Sequence, residues 1–139
     1  MKSLSYLLLL LGLASCERQP SAQASPARAE AGSVVGTWRL TALATGRAGT
    51  ALPNETFTLT ADQKFQFYVD GKLAAEGTYI LGSGSACGGA ASAEPLLSIS
   101  IATPDAYAPA GNYTLTGNTL IIDQCQAADG PRYTFQRQP

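Results

Sequence analysis

The sequence predicts an all-β domain, a small antiparallel up-and-down β-barrel, and three observations support this fold class. From residue 34 onward apolar and polar residues alternate in short runs with the period of a β-strand, and none of the runs has the period of a helix. Tight-turn pairs such as Asp-Gly and Gly-Asn separate several of the runs. An open sheet of this many strands would have two free edges and an uncovered apolar face, and closure into a barrel removes both.

Eight runs are predicted to form strands. In chain order they are 34–43, 55–60, 64–72, 73–81, 96–102, 112–116, 119–125 and 132–137. Every second residue of a strand shares one face. The inward face is predicted to hold Val34, Gly36, Trp38, Leu40, Phe57, Leu59, Phe65, Phe67, Val69, Leu73, Ala75, Tyr79, Leu81, Leu97, Ile99, Ile101, Tyr113, Leu115, Leu120, Ile122, Tyr133, Phe135 and Arg137.

Short turns join most of these runs. Asp70-Gly71 and Gly117-Asn118 are two-residue hairpin signals, and 129–131 reads Asp-Gly-Pro. Because neighbouring runs are joined in sequence, an up-and-down meander is favoured over a two-sheet sandwich, which is the alternative. The one long connection, 82–95, is rich in Gly, Ala and Ser.

The amino terminus has the layout of a secretory signal. Lys2 precedes an apolar stretch at 4–13 that is too short to span a bilayer. The sequence Leu-Ala-Ser-Cys at 13–16 resembles the lipobox of bacterial lipoproteins, in which the cysteine is lipidated and the peptide is cut before it. The resemblance implies that 1–15 is a signal peptide and that Cys16 is the lipidation site. An ordinary secretory signal that happens to contain a cysteine is the alternative.

The anchor predicts a place in the bacterial cell envelope. Two or three acyl chains, such as palmitate, hold a protein stably in a membrane where a single chain does not. The residue after Cys16 is Glu17 and not Asp, which in lipoproteins favours the outer membrane. Residues 17–33 contain two prolines, many Ala and Ser, and no apolar period, so 16–33 is expected to be a lipidated, flexible linker before a barrel at 34–139.

Charge and composition argue against several functions. Without residues 1–15 the chain has eight Lys and Arg against ten Asp and Glu, which leaves no basic patch for nucleic acid. The chain contains no histidine, the commonest general base and zinc ligand. Asp62, Asp70 and Asp129 stand at turns, and Glu76 and Asp123 stand on outward positions. The sequence therefore predicts no catalytic residues, no metal site and no cofactor, and a protein that is not an enzyme.

Two cysteines remain once Cys16 carries lipid. Cys87 and Cys125 fit neither a C-x-x-C redox pair nor a metal knuckle. In an oxidising envelope they are expected to form a disulfide that ties the connection 82–95 to the end of the strand at 119–125. A reactive thiol pair is the alternative.

The first strand contains a G-x-W motif at 36–38 that resembles the motif of lipocalins. In lipocalins the tryptophan plugs the closed end of the barrel and a basic residue near the last strand stacks across it. The resemblance implies these roles for Trp38 and Arg137. The stretches 59–81 and 113–137 also resemble bacterial lipocalin-like lipoprotein domains.

Two functions follow as hypotheses. An eight-stranded barrel is just wide enough to be filled by side chains or to hold one small ligand. The inward aromatic residues are either its packing or a ligand lining; they are Trp38, Phe57, Phe65, Phe67, Tyr79, Tyr113, Tyr133 and Phe135. The first hypothesis is an envelope lipoprotein that binds a small hydrophobic ligand. The second is a protein-interaction or inhibitor module whose loops, especially 82–95 and 103–111, contact another protein. For this module a filled barrel and an exposed Tyr107 are expected.

Overall fold

The computed structural model describes residues 32–45, 51–88 and 94–139. The predicted signal peptide, Cys16 and the linker up to residue 31 lie outside the described residues. Within them the strands are β1 (Gly36–Ala44), β2 (Glu55–Leu59), β3 (Lys64–Val69), β4 (Lys72–Ser83), β5 (Pro95–Ile101), β6 (Gly111–Thr116), β7 (Thr119–Asp123) and β8 (Arg132–Arg137), with one 3₁₀ turn at Gln126–Ala128. No helix in these segments is long and apolar enough to cross a bilayer.

The strands form a closed barrel in the order β1 to β8, and each is antiparallel to its neighbours. β8 closes the barrel by pairing with β1, where Trp38 lies opposite Arg137 and Leu40 opposite Phe135. The predicted all-β, up-and-down barrel is thus confirmed, and the sandwich alternative is not the one adopted. Closure gives each strand a neighbouring strand on both sides along part of its length, so no strand is the edge of an open sheet, although β5 pairs with β6 only at Leu96 and Leu97.

The predicted tight turns have the backbone that their residues favour. Asp70 and Gly71 both have positive φ, at 51° and 74°, as a type I′ hairpin turn requires. In the second turn Gly117 has a φ of 57°, whereas Asn118 is not among the residues of positive φ, as in a type II′ turn. These turns match the right-handed twist of the strands that they join.

The inward face of the strands forms one apolar core. Of the residues that the structure describes, fifteen form this buried hydrophobic core, and nearly all come from the predicted inward positions. They are Val34, Trp38, Leu40, Phe57, Leu59, Phe65, Phe67, Ala75, Tyr79, Leu97, Ala108, Leu120, Ile122, Tyr133 and Phe135. Ala108 was not predicted. It lies, with the equally buried Pro109, in the connection between β5 and β6, which packs into the barrel.

The prediction that Leu73 and Leu81 face inward is wrong. Leu73 is 47% exposed because the register of β3 and β4 shifts between Phe67 and Tyr68, so that Phe67 faces Ala75 while Tyr68 faces Leu73. A bulge of this kind adds one residue to a strand and turns the following side chains to the other face. Leu81 is 46% exposed because β4 extends beyond its pairing with β3, so it has a strand on one side only.

The end of β4, the described residues 84–88 and 94, and the start of β5 form a projecting segment that we call the arm. The arm is fastened to the barrel by Asn112 at the start of β6, which accepts a hydrogen bond from the Ala86 amide (2.7 Å) and donates one to the Gly84 carbonyl (2.7 Å). A disulfide between Cys87 and Cys125 adds a covalent link, with Cα atoms 4.8 Å apart. The predicted pairing of these two cysteines is confirmed.

The connections divide between the two ends of the barrel. The start of β1, the turns at 60–63 and 117–118, and the end of β8 meet at one end, which we call the Trp38 end. At the other end, which we call the mouth, lie the described residues between β1 and β2 (45 and 51–54) and the connections 70–71, 102–110 and 124–131. This arrangement follows from antiparallel pairing, since successive hairpin turns alternate between the ends.

Candidate functional site

The Trp38 end is plugged by a stacked pair of side chains. The Trp38 ring is fully buried, and the Arg137 guanidinium carbon lies 4.1 Å from the ring centroid, a cation–π contact. The indole nitrogen donates a hydrogen bond to the Val34 carbonyl (2.8 Å). Arg137 also donates to the carbonyls of Val35 (2.7 Å) and Ser33 (2.5 Å), so the first described residues are clamped across this end.

Aromatic rings fill the middle of the barrel. The Phe57 ring contacts Phe65 and Phe67 edge to face, with centroids 5.8 and 5.9 Å apart, and lies 6.1 Å from Phe135. Phe135 stacks in turn on Tyr133 at 6.1 Å. These are the separations of packed aromatic pairs in a protein core. The structure therefore uses these five predicted residues as packing.

The remaining two predicted aromatic residues lie apart from this cluster. Tyr79 is buried, and its hydroxyl donates to the Thr60 carbonyl (2.7 Å), which holds the turn at 60–63 against β4. Burial, together with the charge of Asp62, raises the pKa of the Tyr79 phenol. Tyr113 is only half-buried and packs at the margin of the core.

At the mouth, a carboxylate points into the barrel. Glu55 is the first residue of β2, and strand alternation puts it on the same inward face as Phe57 and Leu59. Its Oε2 atom is buried and accepts no hydrogen bond from any residue that the structure describes. Burial raises the pKa of this carboxyl group, because the charged form loses its hydration.

Two tyrosine hydroxyls lie near this carboxylate. The Tyr107 hydroxyl donates to Gln124 Oε1 (2.5 Å) and lies 2.6 Å from the Tyr133 hydroxyl. A phenol has one proton, so Tyr133 is the donor to Tyr107. Burial raises the pKa of both phenols, and the charge of Glu55 contributes to both shifts. Both hydroxyl protons are therefore used in these two hydrogen bonds, and neither can be donated to Glu55.

Sequence analysis missed this polar group. The predicted inward residues of this strand are Phe57 and Leu59, and they do not include Glu55, which stands two positions before Phe57. Alternation alone could have found it. The contact between Tyr107 and Tyr133 could not have been found in this way, because it joins a connection to a strand 26 positions away.

The described residues also line two grooves on the outer wall. One, of about 360 Å³, lies between the arm and the outer face of β6 and β7, close to the disulfide. The other, of about 440 Å³, lies beside the turn at 60–63, where Lys64 pairs with Asp62 at 2.8 Å. Among the residues placed by the structure, His, Cys, Asp and Glu form no group of three that could hold a metal ion.

In comparisons with known proteins, no family model, curated protein or solved structure matches this chain.

Proposed function

We propose that this chain is a lipocalin-like, lipid-anchored protein of the bacterial envelope whose barrel domain contacts another protein through its mouth. The observation that supports this proposal most is the packing of the barrel interior, where four rings lie within about 6 Å of the central Phe57 or of one another. A small hydrophobic ligand, the other hypothesis, would have to displace rings that already make core contacts.

The direction of the chain supports the mouth as the contact surface. The described chain begins at the Trp38 end, where Arg137 holds residues 33 and 35, and Cys16 and the linker precede this end in the sequence. A lipid on Cys16 therefore ties the Trp38 end to the membrane side. The mouth lies at the far end of the barrel, where a soluble partner or the exposed part of an envelope complex can reach it.

Exposed apolar side chains at the mouth support a protein partner. Tyr107 is 50% exposed and Leu52 is 47% exposed, and both belong to connections at this end. Leu73 stands on the adjoining rim at the start of β4. Exposed large apolar side chains such as these are typical of interaction sites, and tyrosine is enriched in the most buried part of interfaces.

Two measurements on the lipidated chain, purified from its own host's membranes, test the proposal. Native mass spectrometry is expected to show the mass of the chain and its acyl groups alone. Photo-crosslinking in living cells, with the probe at Leu52 or Tyr107, is expected to trap a discrete protein. A copurifying small hydrophobic molecule with no crosslinked protein would favour the ligand-binding hypothesis over the protein-interaction hypothesis.

A further inference from the structure

We propose that the partner protein inserts a cationic side chain, a lysine or an arginine, into the barrel mouth, where it pairs with the carboxylate of Glu55. This inference rests on the proposed function and names the chemistry of the partner. The contact would lie inside the rim and not on the outer wall, because Glu55 shares the inward face of β2 with Phe57.

The first argument is the uncompensated charge. A carboxylate that loses water without gaining a partner is destabilising, and proteins normally satisfy such a group with donors or an opposite charge. Glu55 Oε2 is buried and receives no hydrogen bond from the described residues. Of the two hydroxyls at the mouth, Tyr107 gives its proton to Gln124 and Tyr133 gives its proton to Tyr107. They present oxygen lone pairs to an incoming donor, as the carboxylate does.

A cation with several donors fits this set of acceptors. An ammonium carries three N–H groups and a guanidinium five, with no acceptor on either. Such a group can donate to several oxygens and also neutralises the carboxylate, whereas a hydroxyl has a single proton and an amide carries no charge. Charge-assisted hydrogen bonds of this type are stronger than neutral ones.

The surroundings favour a side chain of a protein over a free amine. Leu52 and Tyr107 offer apolar contact beside the opening, over an area larger than a small amine would cover. The turns at the same end carry Asp70, Asp105 and Asp129, against Lys72 and Arg132 as the cations placed there. A basic partner surface with apolar neighbours is complementary to such an end.

One residue of this chain is a competing occupant. Arg47 belongs to residues 46–50, which connect β1 to β2 and lie outside the described residues. If its guanidinium pairs with Glu55, the site is filled from within and takes no partner. The variants Glu55→Gln and Arg47→Gln separate these cases.

The first experiment measures the site without the partner. The full lipidated chain in detergent micelles is titrated with n-butylammonium and n-butylguanidinium, and with n-butanol as the uncharged control, while NMR follows Glu55, Tyr107 and Tyr133. Both cations are expected to shift these residues at millimolar concentrations, and n-butanol is not. Glu55→Gln is expected to weaken cation binding at least tenfold, while Arg47→Gln leaves it unchanged or tighter. Unchanged binding in Glu55→Gln, or binding gained only in Arg47→Gln, would overturn the inference.

The second experiment measures the partner. Photo-crosslinkers at Leu52 and Leu73 are compared in the native host with control positions Arg39 and Ile80, which are exposed on the wall and on the arm. A protein trapped at the first two positions, with a yield at least fivefold lower in the Glu55→Gln chain, is the expected result. Crosslinks at Leu52 and Leu73 that do not depend on Glu55 overturn this inference and leave the proposed function standing. Crosslinks that occur only at Ile80 overturn both, because the proposed contact lies at the mouth. No crosslinks at any position would overturn both. Cation binding at Glu55 combined with Glu55-independent crosslinks would assign the site to a small amine, against the inference.

Discussion

Trp38 has two partners that act on different parts of its side chain. Arg137 stacks on the ring face, and the Val34 carbonyl accepts a hydrogen bond from the indole nitrogen. Arg137 in turn reaches the carbonyls of Ser33 and Val35. Because ring and guanidinium hold the same segment in place, the loss of either loosens the start of the barrel.

We expect Trp38→Ala to lower the free energy of unfolding by about 3–5 kcal/mol, through lost packing and a cavity. Trp38→Phe keeps a ring but leaves the Val34 carbonyl without its donor, so a loss of about 1–3 kcal/mol is expected. Arg137→Ala should lose about 2 kcal/mol, and the Trp38→Ala/Arg137→Ala double variant less than the sum, because both remove one contact. Urea denaturation followed by circular dichroism measures the cycle. Strict additivity would argue against the stack as a stabilising contact.

Glu55 is expected to make the stability of the free protein depend on pH. Burial raises the pKa of the folded state above the ordinary value of 4.5. The folded state then binds the proton more tightly than the unfolded state. The stability conferred by this group is fully present below pH 4.5 and is lost as the pH rises through the raised folded value.

The test is a comparison of Glu55→Gln with the parent protein in urea at pH 4 and pH 7. We expect the variant to be more stable than the parent at pH 7 and to lose this advantage at pH 4. Such a result means that the carboxylate is kept at a cost to stability, as is common at binding sites. A variant less stable than the parent at pH 7 would mean that an internal cation already pairs with Glu55.

At the scale of elements, β4 carries two glycines that serve as a matched pair. A Cβ on Gly77 would lie 2.0 Å from the Ser100 carbonyl oxygen of β5 and 3.0 Å from the Phe65 ring, so the two strands can approach only at a glycine. A Cβ on Gly82, in the same strand, meets no atom within 4 Å.

We expect Gly77→Ala to destabilise the barrel by more than about 2 kcal/mol, because the clash is with backbone of the neighbouring strand. Gly82→Ala should be neutral or stabilising by about 0.5–1 kcal/mol, since alanine loses less conformational freedom in a strand. Thermal denaturation of both variants and the parent protein measures these differences in stability. Equal stabilities would mean that β4 and β5 are farther apart at Gly77 than described.

The arm is the element on which the disulfide acts. Cys87 and Cys125 are 38 positions apart, a separation for which the chain-entropy model gives about 4 kcal/mol of stabilisation. Cys87→Ala/Cys125→Ala is expected to lose most of that and to speed amide hydrogen exchange at 84–88 more than in β1 to β3. The intact protein should show two new thiols by mass only after reduction. Free thiols in protein taken directly from the envelope would contradict the bond.

At the scale of the whole molecule, the lipid anchor at Cys16 and the barrel are independent predictions. In the sequence, the predicted linker joins the barrel at residues 32–36. We expect Cys16→Ser to yield an uncleaved precursor without lipid, because the thiol is the acyl acceptor. Metabolic labelling with an alkyne fatty acid measures this, and Cys87→Ser/Cys125→Ser is the matched control that should keep its label. Equal labelling of Cys16→Ser and the parent would end the lipoprotein interpretation while leaving the barrel intact.

The sequence by itself determined the fold class, the strand order and most of the core, because these follow from alternation and turn chemistry over short stretches. It also paired Cys87 with Cys125, since no other thiol was left once Cys16 was assigned to lipid. Alternation could not predict which face of the sheet Leu73 occupies, because the bulge depends on the pairing register between β3 and β4. Only the tertiary structure could decide whether the aromatic residues pack or line a cavity, since this depends on ring separations across the barrel. The same holds for the mouth, where Glu55, Tyr107 and Tyr133 meet because the connection 102–110 folds back onto β2 and β8, and no local pattern encodes that contact.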